Sequence, residues 1–187
     1  MYLKAFNMKR LLVLFALSGS VLTYSCTSMK SSEKVAKATI SATTSGTPGN
    51  GSITFEQDDE EVDMKLELNF PSKAGQTVAV HIHEHGDCGN EGKDAHGHWN
   101  PTKSNHGKWN EGQFHLGDIG NVTLDASGKG TLKLETTLWS VGTGATNDVT
   151  GKAIMVHEKA DDFTTQPTGN AGGRIGCGVI DLAKTAM

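Results

Sequence analysis

The sequence predicts an all-β fold, a sandwich or barrel of eight strands carrying two long functional loops. Three observations carry this expectation. Short apolar segments recur along the chain, each bounded by Gly, Pro, Asn or Asp, and no helical period appears after residue 25. Glycine makes up 23 of 187 residues and aromatics only 6%, a composition of tight turns around a small-residue core. Two stretches, 84–114 and 158–174, are too long and too polar to be ordinary connections.

The strands are expected at 38–44, 52–57, 62–70, 78–83, 115–124, 130–137, 152–157 and 175–182. The third shows the cleanest alternation. Met64, Leu66, Leu68 and Phe70 interleave with Lys65, Glu67 and Asn69, so one face is apolar and the other polar. Asp125-Ala126-Ser127-Gly128 is a turn between the fifth and sixth. The 84–114 stretch is rich in Gly, Asn, Asp, Lys and His and has almost no apolar period, so a bound metal would have to supply its ordering energy.

The N-terminus reads as an export signal over residues 1–25. Met8-Lys9-Arg10 is a basic n-region, and 11–17 is an apolar run too short to span a bilayer unaided. Residues 26–35 read as a Ser/Thr/Lys-rich tether, and 36–187 as one folded domain. Removing residues 1–25 deletes Lys4, Lys9 and Arg10 and no acid, which takes the net charge from −4 to −7. A chain this acidic, with no basic stretch, is not expected to bind nucleic acid.

Cysteine counting sharpens the N-terminal reading. Of three cysteines, Cys88 and Cys177 lie in the folded region and are the natural pair, which leaves Cys26 odd. Cys26 follows Leu22-Thr23-Tyr24-Ser25, where the acylated cysteine of a bacterial lipoprotein would stand, although Thr23 replaces the usual Leu. Two readings stay open: membrane attachment through acylated Cys26, and plain secretion with cleavage nearby. The leftover thiol favours the first. Thr27 rather than Asp after Cys26 favours outer-membrane sorting, so the expected location is the periplasm or an outer-membrane anchor in the bacterial envelope.

The chemistry sits in His81, His83, His98, His106, His115, Asp118 and His157. His81 and His83 stand at i and i+2 of a strand, so both imidazoles project to one face while Ile82 packs on the other. His98, His106, His115 and Asp118 follow at spacings of 8, 9 and 3, and His157 ends a later strand. Imidazole and carboxylate at this density form a metal-site composition, and their order looks like a two-metal site in which one histidine serves both ions. A four-histidine set suits Cu(II); three histidines and an aspartate, without sulfur, suit Zn(II).

Six blocks of text go further. They are His81-Ile82-His83-Glu84, His98-Trp99-Asn100-Pro101, Asn105-His106-Gly107, His115-Leu116-Gly117-Asp118-Ile119-Gly120-Asn121, Val156-His157-Glu158-Lys159-Ala160-Asp161-Asp162, and Gly169-Asn170-Ala171-Gly172-Gly173-Arg174-Ile175-Gly176-Cys177-Gly178-Val179-Ile180. In these blocks the chain closely resembles the copper/zinc superoxide dismutases, over roughly residues 36–183. The resemblance implies an eight-stranded Greek-key β-barrel or sandwich of immunoglobulin-like architecture. It implies copper at His81, His83, His98 and His157, and zinc at His98, His106, His115 and Asp118, with His98 bridging. Asp161 then matches the carboxylate that orients ligands of both metals, Arg174 the cation that receives the anionic substrate, and Cys88–Cys177 the intradomain disulfide. The activity implied is conversion of superoxide to O2 and hydrogen peroxide by Cu(II)/Cu(I) cycling, with His98 as proton relay and Arg174 guiding the anion. Lys159 is a second candidate for that guidance. Residues 162–173 contain no lysine, unlike many relatives, so the expected dependence of rate on ionic strength is modest.

Other readings stand beside this one. A non-enzymatic envelope module could hold zinc or pass copper on with the same ligands; intact redox-metal ligands and Arg174 favour the enzyme. A zinc hydrolase lacks an open zinc position, since three histidines and one aspartate close the tetrahedron. The oligomeric state, a homodimer included, is not given. His85 and His96 fall outside the family set. They are either solvated loop histidines or an auxiliary metal-capture site beside the copper ligands. Trp99, Trp109 and Trp139 read as packing groups, Asn121-Val122-Thr123 as structural despite its sequon spelling, and the Gly-rich 169–178 run as backbone packing around Arg174 rather than a phosphate loop.

Overall fold

The computed structural model describes residues 33–184; the expected signal segment 1–25 and Cys26 lie outside them. Nine strands form one antiparallel sheet. They are β1 (Lys34–Ala42), β2 (Asn50–Asp58), β3 (Glu61–Asn69), β4 (Thr77–His83), β5 (Gly120–Thr123), β6 (Lys129–Thr136), β7 (Ala153–His157), β8 (Arg174–Val179) and the short β9 (Asp181–Leu182). The order is β5-β4-β7-β8-β1-β2-β3-β6, with β9 on β1. The two ends of that path, β5 and β6, are consecutive in sequence. The Asp125 turn joins them, and Gly130 backs onto Val122 and Leu124. The sheet therefore curls into a nearly closed eight-strand barrel, with the crossovers of a Greek key.

Alternation makes the barrel. Val62, Met64, Leu66 and Leu68 of β3 point inward and are buried, while the residues between them are exposed. Burial of each such side chain stabilises by roughly 1.5–3 kcal/mol. They meet Ile40, Ile53, Phe55, Val78, Val80, Ile82, Ile154 and Val156 in one core. Strands β4 and β7 differ from β3: nearly every residue of both is buried. Their outward faces are covered too, because the long loops lie over them. Ala153 and Met155 on the outer face of β7 form a small second cluster with Ala95 and Cys177.

The eight expected strands are all present, with three corrections. The strand expected at 115–124 is shortened to Gly120–Thr123, and 115–119 is a turn in which Asp118 N–H donates to the His115 carbonyl at 3.0 Å. Apolar text misled here because Leu116 and Ile119 are buried from within a turn. The strand expected at 175–182 is broken at Ile180, between β8 and β9, where Ile180 N–H donates to the Lys152 carbonyl just before β7. Strand β1 begins at Lys34, inside the segment assigned to the tether.

The loop between β4 and β5 is stitched to the barrel by backbone. Ile82 N–H donates to Gly117 O at 2.9 Å, Trp99 N–H to Ile82 O at 2.8 Å, and Gly117 N–H to Trp99 O at 3.0 Å. Gly117 is required by this closeness, since a Cβ there would overlap the Ile82 carbonyl. Trp139 anchors the same loop from below. Its indole N–H donates to the Leu116 carbonyl at 2.9 Å while its ring packs edge-on against Phe55. A disulfide between Cys88 and Cys177 ties the loop to β8, with Cα atoms 5.8 Å apart. The expected pairing is thus present, and the tryptophans serve packing.

Candidate metal centre

Strand alternation places the first two ligand candidates. Val80 and Ile82 of β4 face the core, so His81 and His83 face outward, beneath the loops. Register brings in two more. His98 bridges to His83 across the loop, and His157 follows Val156 on β7, which pairs β4. At that point the β7–β8 ladder slips. Val156 pairs with Gly176 and His157 with Arg174, leaving Ile175 as the extra residue of a β-bulge. The bulge sets Arg174 at the edge of the histidine cluster. His106, His115 and Asp118 come from the loop alone.

The side chains form two quartets. His81, His83, His98 and His157 offer ligand atoms all within 4.8 Å of one another, as do His98, His106, His115 and Asp118. All seven are buried. The quartets share His98, whose ring lies 3.9 Å, centroid to centroid, from that of His81.

Hydrogen bonding fixes which nitrogens are free. In the first quartet His83 Nδ1–H donates to the His96 carbonyl at 2.9 Å and His157 Nδ1–H to the Gly172 carbonyl at 3.5 Å. A carbonyl can only accept, so both Nε2 atoms carry lone pairs, and they face each other at 3.3 Å. His81 Nε2–H donates to Asp161 and His98 Nδ1–H to Asp118, each at 2.8 Å, which frees His81 Nδ1 and His98 Nε2. Those two atoms are buried without a partner. Burial pushes His81 down, His83 and His157 well down, and His98 to about 4, so all four rings are neutral at pH 7. Four lone pairs converging in a dry site are costly unless a cation lies among them.

The second quartet contains a buried carboxylate. Asp118 lies 2.8 Å from His98 Nδ1, 3.0 Å from His106 Nδ1 and 3.2 Å from His115 Nδ1, and it accepts amide hydrogens from Gly107 and His115. Burial opposes its charge, and these partners outweigh burial, holding the carboxyl far below its usual range. His106 shows the counterpart. Burial would lower it, but Asp118 and Asp161 push it up to about 9, so the site favours positive charge at this ring. His106 Nδ1 and His115 Nδ1 are buried and lie close to Asp118 without the alignment of a hydrogen bond. The donor sets fit their ions: four neutral nitrogens suit Cu(II), and three nitrogens with a carboxylate suit Zn(II).

The surroundings hold Asp161 and Arg174, both expected from the resemblance, and add Asn121 and Gln166, whose roles sequence reasoning passed over. Asp161 spans both quartets, taking His81 Nε2–H on Oδ2 and His106 Nε2–H on Oδ1. Asn121, read from sequence as structural, braces it. Its amide group bonds both the backbone N–H and the carbonyl of Asp161. Gln166 clasps the His106 backbone at both N–H and C=O. Arg174 donates to the carbonyls of Gly92 and His96, so one carbonyl holds both Arg174 and His83. Lys93 and Glu91, 3.5 Å apart, share with Arg174 a shallow recess of about 340 Å³. Asn121 and Gln166 act on partners remote in sequence, and no local signal marked those roles.

A nearly closed β-barrel carrying two buried quartets that share one imidazole defines a dinuclear metal-binding β protein. Comparison with known proteins makes this specific. Residues 49–180 match the family described as copper/zinc superoxide dismutase. The chain is 33% identical over 140 residues to an extracellular Cu-Zn superoxide dismutase of Caenorhabditis elegans, covering 72% of this chain but 62% of that protein's length. It is 32% identical over 141 residues to Cu-Zn superoxide dismutase 5 of Dictyostelium discoideum, covering 72% and 91%. Among solved structures it resembles a double mutant of a superoxide-dismutase-like protein from Bacillus subtilis, at TM-score 0.66 and 33% identity over 76% of this chain and 94% of that one. It also resembles the clock protein EA4, at TM-score 0.69 and 32% identity over 82% and 97%. The chain belongs to the copper/zinc superoxide dismutase family, and its histidine clusters could bind copper and zinc.

Proposed function

We propose that this protein is a superoxide dismutase, converting two superoxide anions and two protons to O2 and hydrogen peroxide. The observation that carries the reading is the orientation of His98. Its Nδ1 faces Asp118 in one quartet while its Nε2 lies unpartnered in the other. Copper held by His81, His83, His98 and His157 would supply the one-electron couple that both half-reactions need. Zinc held by His98, His106, His115 and Asp118 would be closed to substrate and would fix charge and geometry.

The chain's own residues do the rest. His98 Nε2 is the atom at which a proton can be held and given up while Nδ1 stays engaged. The Arg174 guanidinium, fixed by two backbone carbonyls, sets a positive charge beside His83 and His157 to receive a small anion. The carbonyls of His96 and Gly172 hold the His83 and His157 rings in the tautomer that turns Nε2 inward. Asp161 fixes His81 and His106 together.

The site of action is proposed to be the bacterial cell envelope, with acylated Cys26 as the anchor. The Cys88–Cys177 disulfide, the N-terminal text and the extracellular relative support export. Loss of fatty-acid labelling in Cys26→Ser, with secretion kept, is expected.

The test of activity is metal content with cyanide-sensitive dismutation, on protein lacking residues 1–26. About one copper and one zinc per chain, with activity lost in His157→Ala while zinc stays, is expected. Zinc alone, with no activity after copper reconstitution, would overturn the enzyme in favour of a binding module.

A further inference from the structure

Among the described residues, one more set of metal-ligating side chains comes together outside the two quartets. Glu84, His85 and His96, all exposed, present ligand atoms within 4.8 Å of one another. The His85 and His96 rings lie 4.5 Å apart, centroid to centroid, at 84°.

Backbone pairing explains the meeting. His83 bridges to His98, and the two segments continue side by side beyond that bridge. Glu84 N–H donates to the Gly97 carbonyl at 3.0 Å and His85 N–H to the Ala95 carbonyl at 3.3 Å. The arrangement that sets His83 against His98 in the buried quartet therefore sets His85 against His96 one step further out. His96 adopts a left-handed φ of 59°. Its carbonyl turns inward, onto His83 and Arg174, while its side chain remains exposed beside His85.

Two imidazoles and a carboxylate, with room left for water, are donors for a borderline divalent ion. Three exposed ligands bind less tightly than four buried ones and release faster. We propose that Glu84, His85 and His96 form a third metal site, which takes Cu(II) from solution and passes it inward by ligand exchange, without change of oxidation state. The relay rests on the assignment of copper to the His81/His83/His98/His157 quartet; binding at the third site does not.

The test uses protein carrying one copper and one zinc, freed of excess metal and titrated with Cu(II) by calorimetry and electron paramagnetic resonance. One further equivalent is expected, with its own nitrogen-coordinated signal. It should vanish in the His85→Ala/His96→Ala double variant and weaken about tenfold in Glu84→Gln. A wild-type protein that takes no third equivalent, or a double variant that keeps it, overturns the site. Should the double variant misfold, His85→Ala alone reads the same signal.

For the relay, zinc-loaded protein receives one equivalent of Cu(II), and the visible absorbance of the buried quartet is followed. Filling should be about tenfold slower in the double variant, to the same endpoint. Equal rates overturn the relay and leave the site standing. If the quartet never fills in either protein, the dismutase reading fails, while the third-site titration on zinc-loaded protein still decides the site.

Discussion

His81 and His106, in different metal quartets, donate to opposite oxygens of a single carboxylate. His81 Nε2 lies 2.8 Å from Asp161 Oδ2, and His106 Nε2 lies 2.9 Å from Asp161 Oδ1. The quartets are thus joined twice, through the His98 ring and through Asp161. Burial opposes the Asp161 charge, but the His106 and His81 hydrogen bonds and the Phe163 amide hold the carboxyl well below its usual range.

Asp161→Ala removes one hydrogen bond from each quartet at once. The affinity of both for metal should fall about 10–100-fold. Competition with a chromophoric chelator reads each metal separately. A loss confined to one metal would show that the carboxylate orients only one ring.

Gly169 lies directly against this brace. Its φ is +65°, and an added Cβ would overlap Asp161 Oδ1 and crowd His106 Nε2. Gly169→Ala should therefore lose zinc on purification. Gly172→Ala is the control: it has φ +80° and meets only the side chains of Glu158 and Lys159 at ordinary contact distance. Both bear the backbone cost of roughly 1–2 kcal/mol, so zinc loss in Gly169→Ala alone isolates the side-chain clash.

Under the proposed function, Arg174 should act over a short range. Residues 162–173 contain no lysine, and neighbouring Lys93 is paired with Glu91. The screening length shrinks from roughly 30 Å at 0.01 M salt to about 8 Å at 0.15 M. Over that interval kcat/KM should fall only about two- to threefold. A steep fall in stopped-flow superoxide decay would reveal a wider steering field than these residues provide.

The Cys88–Cys177 disulfide closes a separation of 89 residues, for which loop entropy predicts a contribution of about 4.6 kcal/mol. Reduction or a double Ser variant should lower the melting temperature accordingly. It should also lower kcat/KM with metals still bound, because the Arg174 acceptors Gly92 and His96 lie in the tethered segment. Unchanged kcat/KM would detach Arg174 placement from the disulfide.

Asp148 organises the loop before β7. It accepts amide hydrogens from Gly142, Thr143, Gly144 and Thr150, and the Thr150 hydroxyl. Burial opposes its charge, and these donors outweigh burial, so its folded pKa lies below 3.8. A depressed carboxyl stabilises above its unfolded pKa, and that stability is lost as pH falls through the folded value. Asp148→Asn should therefore cost roughly 2–3 kcal/mol at pH 7 in denaturant unfolding, with the gap to wild type closing below about pH 3.8. A gap independent of pH would show that shape rather than charge matters there.

Much was legible without coordinates. Met64 to Phe70 alternate in sequence because alternation is the geometry of a half-buried strand, and β3 shows that pattern. His81 and His83 read as one face for the same reason. The 115–124 segment was misread because apolar residues buried from a turn look like a strand. Gln166, and the carbonyls of Gly92, His96 and Gly172, gave no signal. Backbone acceptors have no side-chain identity, and Gln166 reaches His106 across 60 residues.

Local chemistry alone determined the strand periods, the candidate ligands and the acidic charge, because these depend on residue type and short spacing. Tertiary structure decided what long-range register controls. The β7–β8 bulge sets Arg174 opposite His157, Asp161 joins His81 to His106, and His96 turns its carbonyl to His83 while its ring meets His85. Each of these joins residues through strand register, hydrogen bonds or ring contacts that only the folded backbone brings within reach.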